Sequence, residues 1–303
     1  SVFTMSRVNS ISFNDFIKSI ENPEFVRWLF LEAGYGSEEG SECEYCDIGQ
    51  YRLINSKSPR FPVGMYYKCS NRACNKQKNI FEESKISNIN LKKFLILLAS
   101  FINNKTISSV IIDNYFDEKT VFKYYSYFRT LCSKNLPENI LLGGSGKEVE
   151  IDETHLFKRK YHRGNRLASE DIWVFGIFER VSKNIFLSVV KKRDADTLYD
   201  IVSSHVLPGT KIYTDGWRGY CKIKQYFTSK SVNHKYYFVD PNDPLNHVNN
   251  IERTWRSLKS DMRGACNENY CLHLNEFMFR RLVFTSDLRL DLVRMISYIK
   301  DDF

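Results

Sequence analysis

The sequence has little of what marks several classes of protein. It contains 7 proline and 14 glycine residues among 303, which excludes collagen-like and low-complexity chains. Its longest apolar run, Phe94 to Ser100, is far short of the roughly 20 residues that a membrane helix needs. No charged and then apolar leader opens the chain, so a secretory signal is absent or was removed before this sequence begins. We therefore expect a soluble, intracellular protein without a membrane partner.

What the chain does contain is apolar material for a core and an uneven excess of positive charge. Hydrophobic residues make up 43% and charged residues 26%, which excludes a disordered polymer. The net charge is +8. Residues 48–80, with Arg72 and Lys76 among them, carry lysine and arginine but no acid. A second basic cluster comprises Lys158, Arg159, Lys160, Arg163 and Arg166. Two separate basic clusters favour a long polyanion over a small phosphate ligand.

Four of the eight cysteines have the spacing of a zinc site. They form two short pairs, Cys43-x2-Cys46 and Cys69-x4-Cys74. Two short turns that each present two thiolates suit one tetrahedral Zn²⁺, so we predict a structural zinc ribbon here; the alternative is a coincidence of buried thiols. Later in the chain Cys266, Cys271 and His273 lack a clear fourth ligand, and we expect single buried thiols there.

Composition and periodicity divide the chain into six segments. Helical spacing of apolar residues over 11–34 ends at Gly34, and a linker that ends in GGSGK precedes a change of pattern at about residue 148. The expected segments are an N-terminal helical segment (1–40), the zinc ribbon (41–86), a helix-turn-helix region (87–132), a linker (133–147), a catalytic domain (148–264) and a C-terminal helical region (265–303).

The helix-turn-helix prediction depends on the helix that begins near Asp117. An apolar stripe faces the core and a basic-aromatic face lies elsewhere, an arrangement that suits entry into a DNA groove. The alternative is a helical linker with a solvated face. The stripe consists of Val121, Tyr125, Phe128 and Cys132, and the basic-aromatic face of Lys119, Lys123 and Tyr127.

From residue 148 the pattern becomes that of an α/β domain. Segments rich in Val, Ile, Phe and Tyr predict strands, and 194–206 and 249–263 predict helices. Three strands in series, followed by helices alternating with strands, indicate a sheet covered by helices. The predicted strands are KEVEIDETHL, IWVFGIFER, NIFLSVVKK, TKIYTD and YYFVD.

Three acids in this domain stand where chemistry is possible. Asp152 lies within a strand, pointing to the opposite face from Glu153, and Asp215 ends a strand, where α/β sheets place their ligands. Glu252 begins a helix on which it shares one stripe with Arg256, Lys259 and Arg263. Taken singly, each acid is more often a helix cap or a solvated charge. An acid with cations in line behind it suits a site that holds a metal ion and phosphates.

In their order, these motifs resemble one family. IDET, KYHRGNR, WVFGIFER, IYTDGWRGY, HVNNIERTWRSLK and LNEFMFRRLVF follow a zinc ribbon and a helix-turn-helix. The chain from about Phe13 to Phe284 resembles the Merlin-type DNA transposases, a family that includes related bacterial insertion-sequence transposases. IYTDGWRGY and NNIERTWRSLK carry the resemblance most specifically.

The resemblance implies an RNase H-like catalytic domain with an Asp-Asp-Glu triad, matched here by Asp152, Asp215 and Glu252. It implies Mg²⁺ or Mn²⁺ at these acids, hydrolysis of phosphodiesters at transposon ends and joining of 3′-hydroxyls to target DNA. Some relatives use Asn as the third ligand, which leaves Asn249 or Asn250 as a fallback. Arg256 and Lys259 would neutralise phosphates near the metal ions, and the basic cluster at 158–166 would grip flanking DNA.

Partner, location and competing functions follow from the same resemblance. Two DNA ends call for two active sites, so we expect a homodimer on double-stranded DNA. A eukaryotic host, which the resemblance favours, would place the protein in the nucleus, and a bacterial host in the cytoplasm. Two other functions stay open: a domesticated, non-catalytic DNA-binding relative, and a nuclease or resolvase that cuts DNA without joining it.

Overall fold

A computed structural model describes residues 11–36, 39–80, 90–114, 116–156, 172–231, 246–262, 269–285 and 287–302. The chain forms two compact units, and each is described by itself. Unit 1 combines residues 1–134 with 284–303, and unit 2 spans residues 135–283.

The N-terminal part of unit 1 contains two helices where the apolar spacing indicates a single helical stretch. The first ends before Asn22, whose side chain accepts from the Glu24 amide and caps the second helix. Pro23 occupies the first helical position, where its missing N–H costs no hydrogen bond. The helices are α1 (Phe13–Ser19) and α2 (Pro23–Glu32).

A small antiparallel sheet follows. Its strands lie in sequence order, and the register pairs Tyr51 with Cys69. Cys69, from the second cysteine pair, therefore ends the second strand next to the start of the first strand. The strands are β1 (Tyr51–Asn55), β2 (Met65–Cys69) and β3 (Gln77–Asn79).

Three helices follow the small sheet and pack through aromatic rings. The Phe101 ring contacts those of Tyr125 and Phe128 with centroids 5.3 and 5.4 Å apart. The predicted stripe on the last helix is confirmed, since Val121, Tyr125, Phe128 and Cys132 are all buried. The helices are α3 (Leu91–Ile102), α4 (Ile107–Asn114) and α5 (Glu118–Lys134); α10 (Leu288–Asp301) packs against α2, α3 and α5.

The main sheet of unit 2 confirms the predicted α/β class. Three antiparallel strands run in series, and two further strands lie parallel beside the first of them, in the order β10-β9-β5-β6-β7. This is the strand order of an RNase H-like domain. Its strands are β5 (Glu148–His155), β6 (Trp173–Glu179), β7 (Ile185–Val190), β9 (Lys211–Thr214) and β10 (Ser229–Ser231).

The sequence pattern did not predict one pair of strands near this sheet, and one strand that it did predict is not described by the structure. A two-stranded parallel sheet joins β4 (Leu142–Gly143), which lies within the predicted linker, to β8 (Val206–Leu207). The predicted strand YYFVD, at 236–240, lies outside the described residues.

Helices cover the main sheet. Asp194 caps α6, as the sequence predicts, by accepting from the Thr197 amide at 2.9 Å. One helix packs on β5 and β6, and another on β7. These helices are α6 (Ala195–His205), α7 (Cys221–Tyr226), α8 (Asn249–Asp261) and α9 (Tyr270–Leu282), and a 3₁₀ turn (Arg218–Tyr220) precedes α7. In the described part of the chain, no helix has the length and apolar character to cross a membrane.

Candidate active site and cysteine cluster

The four predicted zinc ligands lie together. All four Sγ atoms are within 4.8 Å of one another, with Cys43 and Cys74 3.9 Å apart and Cys46 and Cys69 3.7 Å apart. A tetrahedral ion with Zn–S bonds of about 2.3 Å separates its sulfur ligands by about 3.8 Å. The cluster therefore has the dimensions of a zinc site.

Backbone geometry favours a thiolate at one of the four cysteines and lets the two turns meet. The amides of Ile48 and Gly49 lower the pKa of Cys46 to about 6, whereas burial raises the pKa of Cys69 to about 12. At Gly49 a Cβ would lie 2.4 Å from the Cys69 sulfur, so only glycine lets the first turn approach the second pair. This requirement for glycine is visible in the sequence, three residues after Cys46, but the zinc prediction depended on the spacing of the cysteines alone.

The later cysteines do not follow the prediction of buried thiols. Cys271 is exposed on α9, so that prediction is wrong for this residue. Cys271 stands in the first turn of the helix, ahead of its buried residues, which begin at Leu274. Cys266 lies outside the described residues.

The face of β5 towards α8 carries the first candidate catalytic acid. Asp152 Oδ2 accepts from the Trp255 indole Nε1 at 2.8 Å, and two residues further on Thr154 Oγ1 lies 2.6 Å from Lys259 Nζ. Asp152 pairs with Gly176 on β6, where a Cβ would lie 2.4 Å from the Trp255 ring. Because Gly176 has no side chain, the Trp255 indole can approach the sheet closely enough to donate to Asp152.

The same face positions the start of α8 through a buried acid that the sequence did not single out. Glu150 is fully buried, and its oxygens accept from the amides of Asn250 and Ile251 at 2.9 and 3.0 Å. Arg180 Nε donates to Glu150 at 2.9 Å, and Arg180 Nη2 donates to the His247 carbonyl at 2.6 Å. A carboxylate at a helix N-terminus satisfies amides that have no partner within the helix. Glu150 thus fixes the turn that carries Glu252.

Asp215 follows directly from the pairing of β5 with β9. Glu148 pairs with Lys211 and Glu150 with Tyr213, so the chain leaves β9 beside the middle of β5, and Asp215 follows close enough for its charge to act on Asp152. Neighbouring strands lie about 4.8 Å apart. The Trp217 amide donates to Asp215 Oδ1 at 2.9 Å and orients this carboxylate.

Electrostatics link the three acids. Burial, with smaller contributions from the charges of Asp215 and Glu252, raises the pKa of Asp152 to about 7, although the indole of Trp255 opposes the shift. Glu252 lies half-buried in the first turn of α8. Mutual repulsion among buried carboxylates is what a bound cation relieves.

The acids are not packed as tightly as the cysteines. Within the described ranges, the cysteine cluster is the one group of three or more Cys, His, Asp or Glu whose ligand atoms lie within 4.8 Å of one another. A site for two ions about 3.5–4 Å apart needs its ligands around the outside of the pair, so a wider spacing suits it.

With this geometry the chain can be compared with known proteins. Residues 141–281 match the ISXO2-like transposase domain. The match supports an insertion-sequence DNA transposase of the DDE, RNase H-like superfamily, and that superfamily implies a divalent metal ion and DNA. A comparison of the whole chain with curated proteins finds no match.

On the opposite face of β5, the transposase domain holds a further acid next to the candidate site. Burial raises the pKa of Glu153 to about 7, Tyr220 opposes the shift, and Asp152 and Asp215 add to it. The alternation expected for Asp152 and Glu153 is visible here, because one faces α8 and the other the 3₁₀ turn. Arg193 stands nearby, its guanidinium 3.4 Å from the ring centre of Trp173. Neither Arg193 nor Tyr220 stands in a sequence pattern that marks it as a site residue.

The predicted DNA-binding residues fall into two groups. Those that the structure describes are all exposed: Arg256 and Lys259 on α8, Lys119 and Lys123 on α5, and Arg72 and Lys76 in the ribbon. Five lie outside the described residues: Lys158, Arg159, Lys160, Arg163 and Arg263. Tyr127, expected on the basic face of α5, is instead half-buried with its hydroxyl near Asp302.

The fallback ligands of the transposase domain have different surroundings. The helix has begun at Asn249, the condition under which this residue is a credible substitute. Asn250 Nδ2 donates to Glu150 at 2.7 Å, so this amide belongs to the anchoring of α8. The apolar stripe of the helix, Ile251, Trp255, Leu258 and Met262, is buried.

Proposed function

We propose that this protein is a Merlin-type DNA transposase that hydrolyses phosphodiesters at transposon ends and joins the freed 3′-hydroxyls to target DNA. One observation carries the proposal. Within the segment that matches a transposase domain, Asp152 lies on β5, Asp215 directly follows the neighbouring strand β9, and the charges of both Asp215 and Glu252 contribute to the raised pKa of Asp152.

In this proposal Asp152, Asp215 and Glu252 hold divalent ions, Mg²⁺ or Mn²⁺. Carboxylate oxygens are the ligands that such hard cations prefer. When bound, two such ions activate the attacking oxygen and stabilise charge on the leaving oxygen. Burial and the neighbouring charges of Asp215 and Glu252 raise the pKa of Asp152, which supports a role for these acids in holding a positively charged group.

The chain's own residues hold this arrangement in place. The Trp255 indole fixes one oxygen of Asp152, which leaves the other for a ligand. Glu150 fixes the first turn of α8 and so the position of Glu252. Lys259 and Arg256, both exposed on the same helix, are placed to neutralise backbone phosphates.

The remaining parts of the proposal concern binding. Zn²⁺ at the four cysteines holds the ribbon, and the ribbon and helix-turn-helix contact transposon ends through Arg72, Lys76, Lys119 and Lys123. A homodimer aligns two DNA ends, and a eukaryotic host implies action in the nucleus. The exposed positions of these four cations support the DNA contacts, and the sulfur spacing of the cluster supports the zinc assignment.

The test is metal-dependent cleavage of duplexes that carry the element's ends. Glu252→Gln removes one negative charge and little volume, so we expect cleavage to be abolished while thermal stability and DNA affinity stay near wild type. Asp152→Asn and Asp215→Asn should behave alike. Asp200→Asn, at an exposed position on α6, is the matched control and should cut normally.

Two results would contradict the proposal in different ways. Cleavage at the wild-type rate by Glu252→Gln, with loss in Asn249→Ala, would show that the third ligand is wrong. DNA binding by the wild-type protein without metal-dependent cleavage would favour a non-catalytic, domesticated relative. Cleavage without strand-transfer products would favour a nuclease.

A further inference from the structure

A basic cleft lies on the other side of α8 from the candidate active site. It encloses about 420 Å³ between the end of β6, the turn that follows it, α8 and α9. Four cations line it, Arg180, Lys183, Arg253 and Arg281, and no acid is among the described residues of its lining.

Helix geometry separates this cleft from the acids. Thr254 lines the cleft and lies two residues after Glu252, which places the two side chains about 160° apart around α8. A helix with its side chains is about 10–12 Å across, a length that corresponds to about three base pairs of duplex. The cleft and the candidate active site can therefore contact different phosphates of one bound DNA.

The cations of the cleft differ in how far they are neutralised. Arg180 is paired with Glu148 and Glu150 at 3.0 and 2.9 Å, so its charge is already matched. Arg253 and Lys183 are exposed. The excess positive charge of the cleft therefore comes from the cations other than Arg180.

Arg281 is the best prepared of these cations. Its guanidinium lies 4.6 Å from the ring centre of Phe277, and its Nη1 lies 3.5 Å from Thr254 Oγ1. Burial lowers its pKa, and the charge of Asp261 compensates in part. A planar guanidinium held against a ring presents its donors in a fixed direction, the geometry that recognises a phosphate.

We propose that this cleft binds phosphates of the DNA backbone beside the cleaved bond. That the polyanion is DNA rests on the proposed function. The binding of phosphate groups rests on the four cations, the absence of acids in the described lining and the fixed guanidinium of Arg281. A free phosphate or nucleotide shares this chemistry and is separated by the test.

The experiment measures binding of a 30-base-pair duplex of arbitrary sequence over a range of NaCl concentrations, with no divalent ion added. Arg253→Gln should reduce the slope of log affinity against log salt by about 1, and Arg253→Gln with Lys183→Asn by about 2. Asparagine is chosen because Lys183 has a φ of 62°, which asparagine tolerates. Lys224→Gln removes an equally exposed charge on α7 and should leave the slope unchanged.

Three results would decide the proposal. Slopes in the cleft variants equal to that of Lys224→Gln would overturn it. Weaker binding of inorganic phosphate or ATP in Arg253→Gln, with unchanged duplex binding, would overturn the assignment to DNA. Slopes reduced as expected would support it.

Cleavage by the wild-type protein, measured separately, keeps the two proposals distinct. If the slopes fall as expected but the protein does not cut, the cleft stands and the transposase function fails. If it cuts and the slopes do not change, the cleft alone fails.

Discussion

The cysteine cluster and the carboxylate site are assembled in opposite ways. Each pair of cysteines comes from one short turn, so four ligands need only two turns and a small sheet to meet. The acids come from β5, the end of β9 and the first turn of α8, and 100 residues separate Asp152 from Glu252. The first site depends on local geometry, and the second on the whole RNase H-like sheet.

The supporting residues differ accordingly. At the cysteines a single close approach, at Gly49, lets the turns meet. At the acids a chain of contacts is needed: Glu150 holds the start of α8, and Gly176 admits the indole that orients Asp152. We therefore expect changes at the cysteines to remove a metal and a local fold together, and changes at the acids to separate activity from folding.

The largest effect is expected at the cysteine cluster. Cys43→Ser should remove bound zinc, because a structural zinc site contributes on the order of 10 kcal/mol to the folding of a small domain. Elemental analysis should fall from one zinc per chain to none, and binding to transposon ends should weaken while unit 2 stays folded. Cys221→Ser, at an exposed thiol, should keep its zinc. Wild-type protein purified without chelators and lacking zinc would remove this prediction.

A large effect on stability is expected at Glu150. Glu150→Gln leaves Arg180 without its buried partner and weakens the cap of α8, so unfolding free energy should fall by about 3 kcal/mol. Urea denaturation measures this, with Glu148→Gln as the control, because Glu148 is partly exposed and its loss should cost less. An equal loss of unfolding free energy in both variants would mean that Glu150 contributes no more than a partly exposed ion pair does.

The pH dependence of the stability of the Mg²⁺-free protein should show the cost of burying Asp152 beside two other acids. In the folded protein the pKa of Asp152 is about 7, above its unfolded value of 3.8, so the folded state binds more protons between these pH values. Stability should therefore fall as pH rises from about 4 to 7. Melting of wild type and of Asp152→Asn across this range isolates the effect, since other groups cancel in the difference. Identical curves would contradict it.

The smallest effect is expected at Lys259. Lys259→Ala should lower the salt slope of DNA binding by about 1 or less and slow cleavage modestly. It also removes the contact with Thr154, so Lys259→Gln, which keeps a donor there, should recover stability but not the slope. If neither slope nor cleavage changes, Lys259 is a solvated helix charge.

The sequence by itself was enough for patterns that repeat over short distances. Paired cysteines, the apolar stripes of α5 and α8 and four of the five strands of the main sheet were readable, because each depends on residues only a few positions apart. The short strand β10 was not predicted, since its three residues carry no apolar alternation. The break at Pro23 was also in the sequence, although the apolar spacing of 11–34 runs across it.

Only the tertiary structure decided which distant residues meet. In the sequence Glu150 is one acid among several, and only the packing of α8 brings the amides at the start of that helix to its carboxylate. Arg253 looks like a solvated charge in the sequence, and only the packing of β6 and α9 makes it part of the cleft. Glu153 likewise meets Tyr220, a residue 67 positions later in the sequence, only in the folded domain. Burial and charge balance are properties of the packed sheet and helices. Contacts between residues about 100 positions apart produce no repeating pattern in the sequence, so the sequence alone does not predict them.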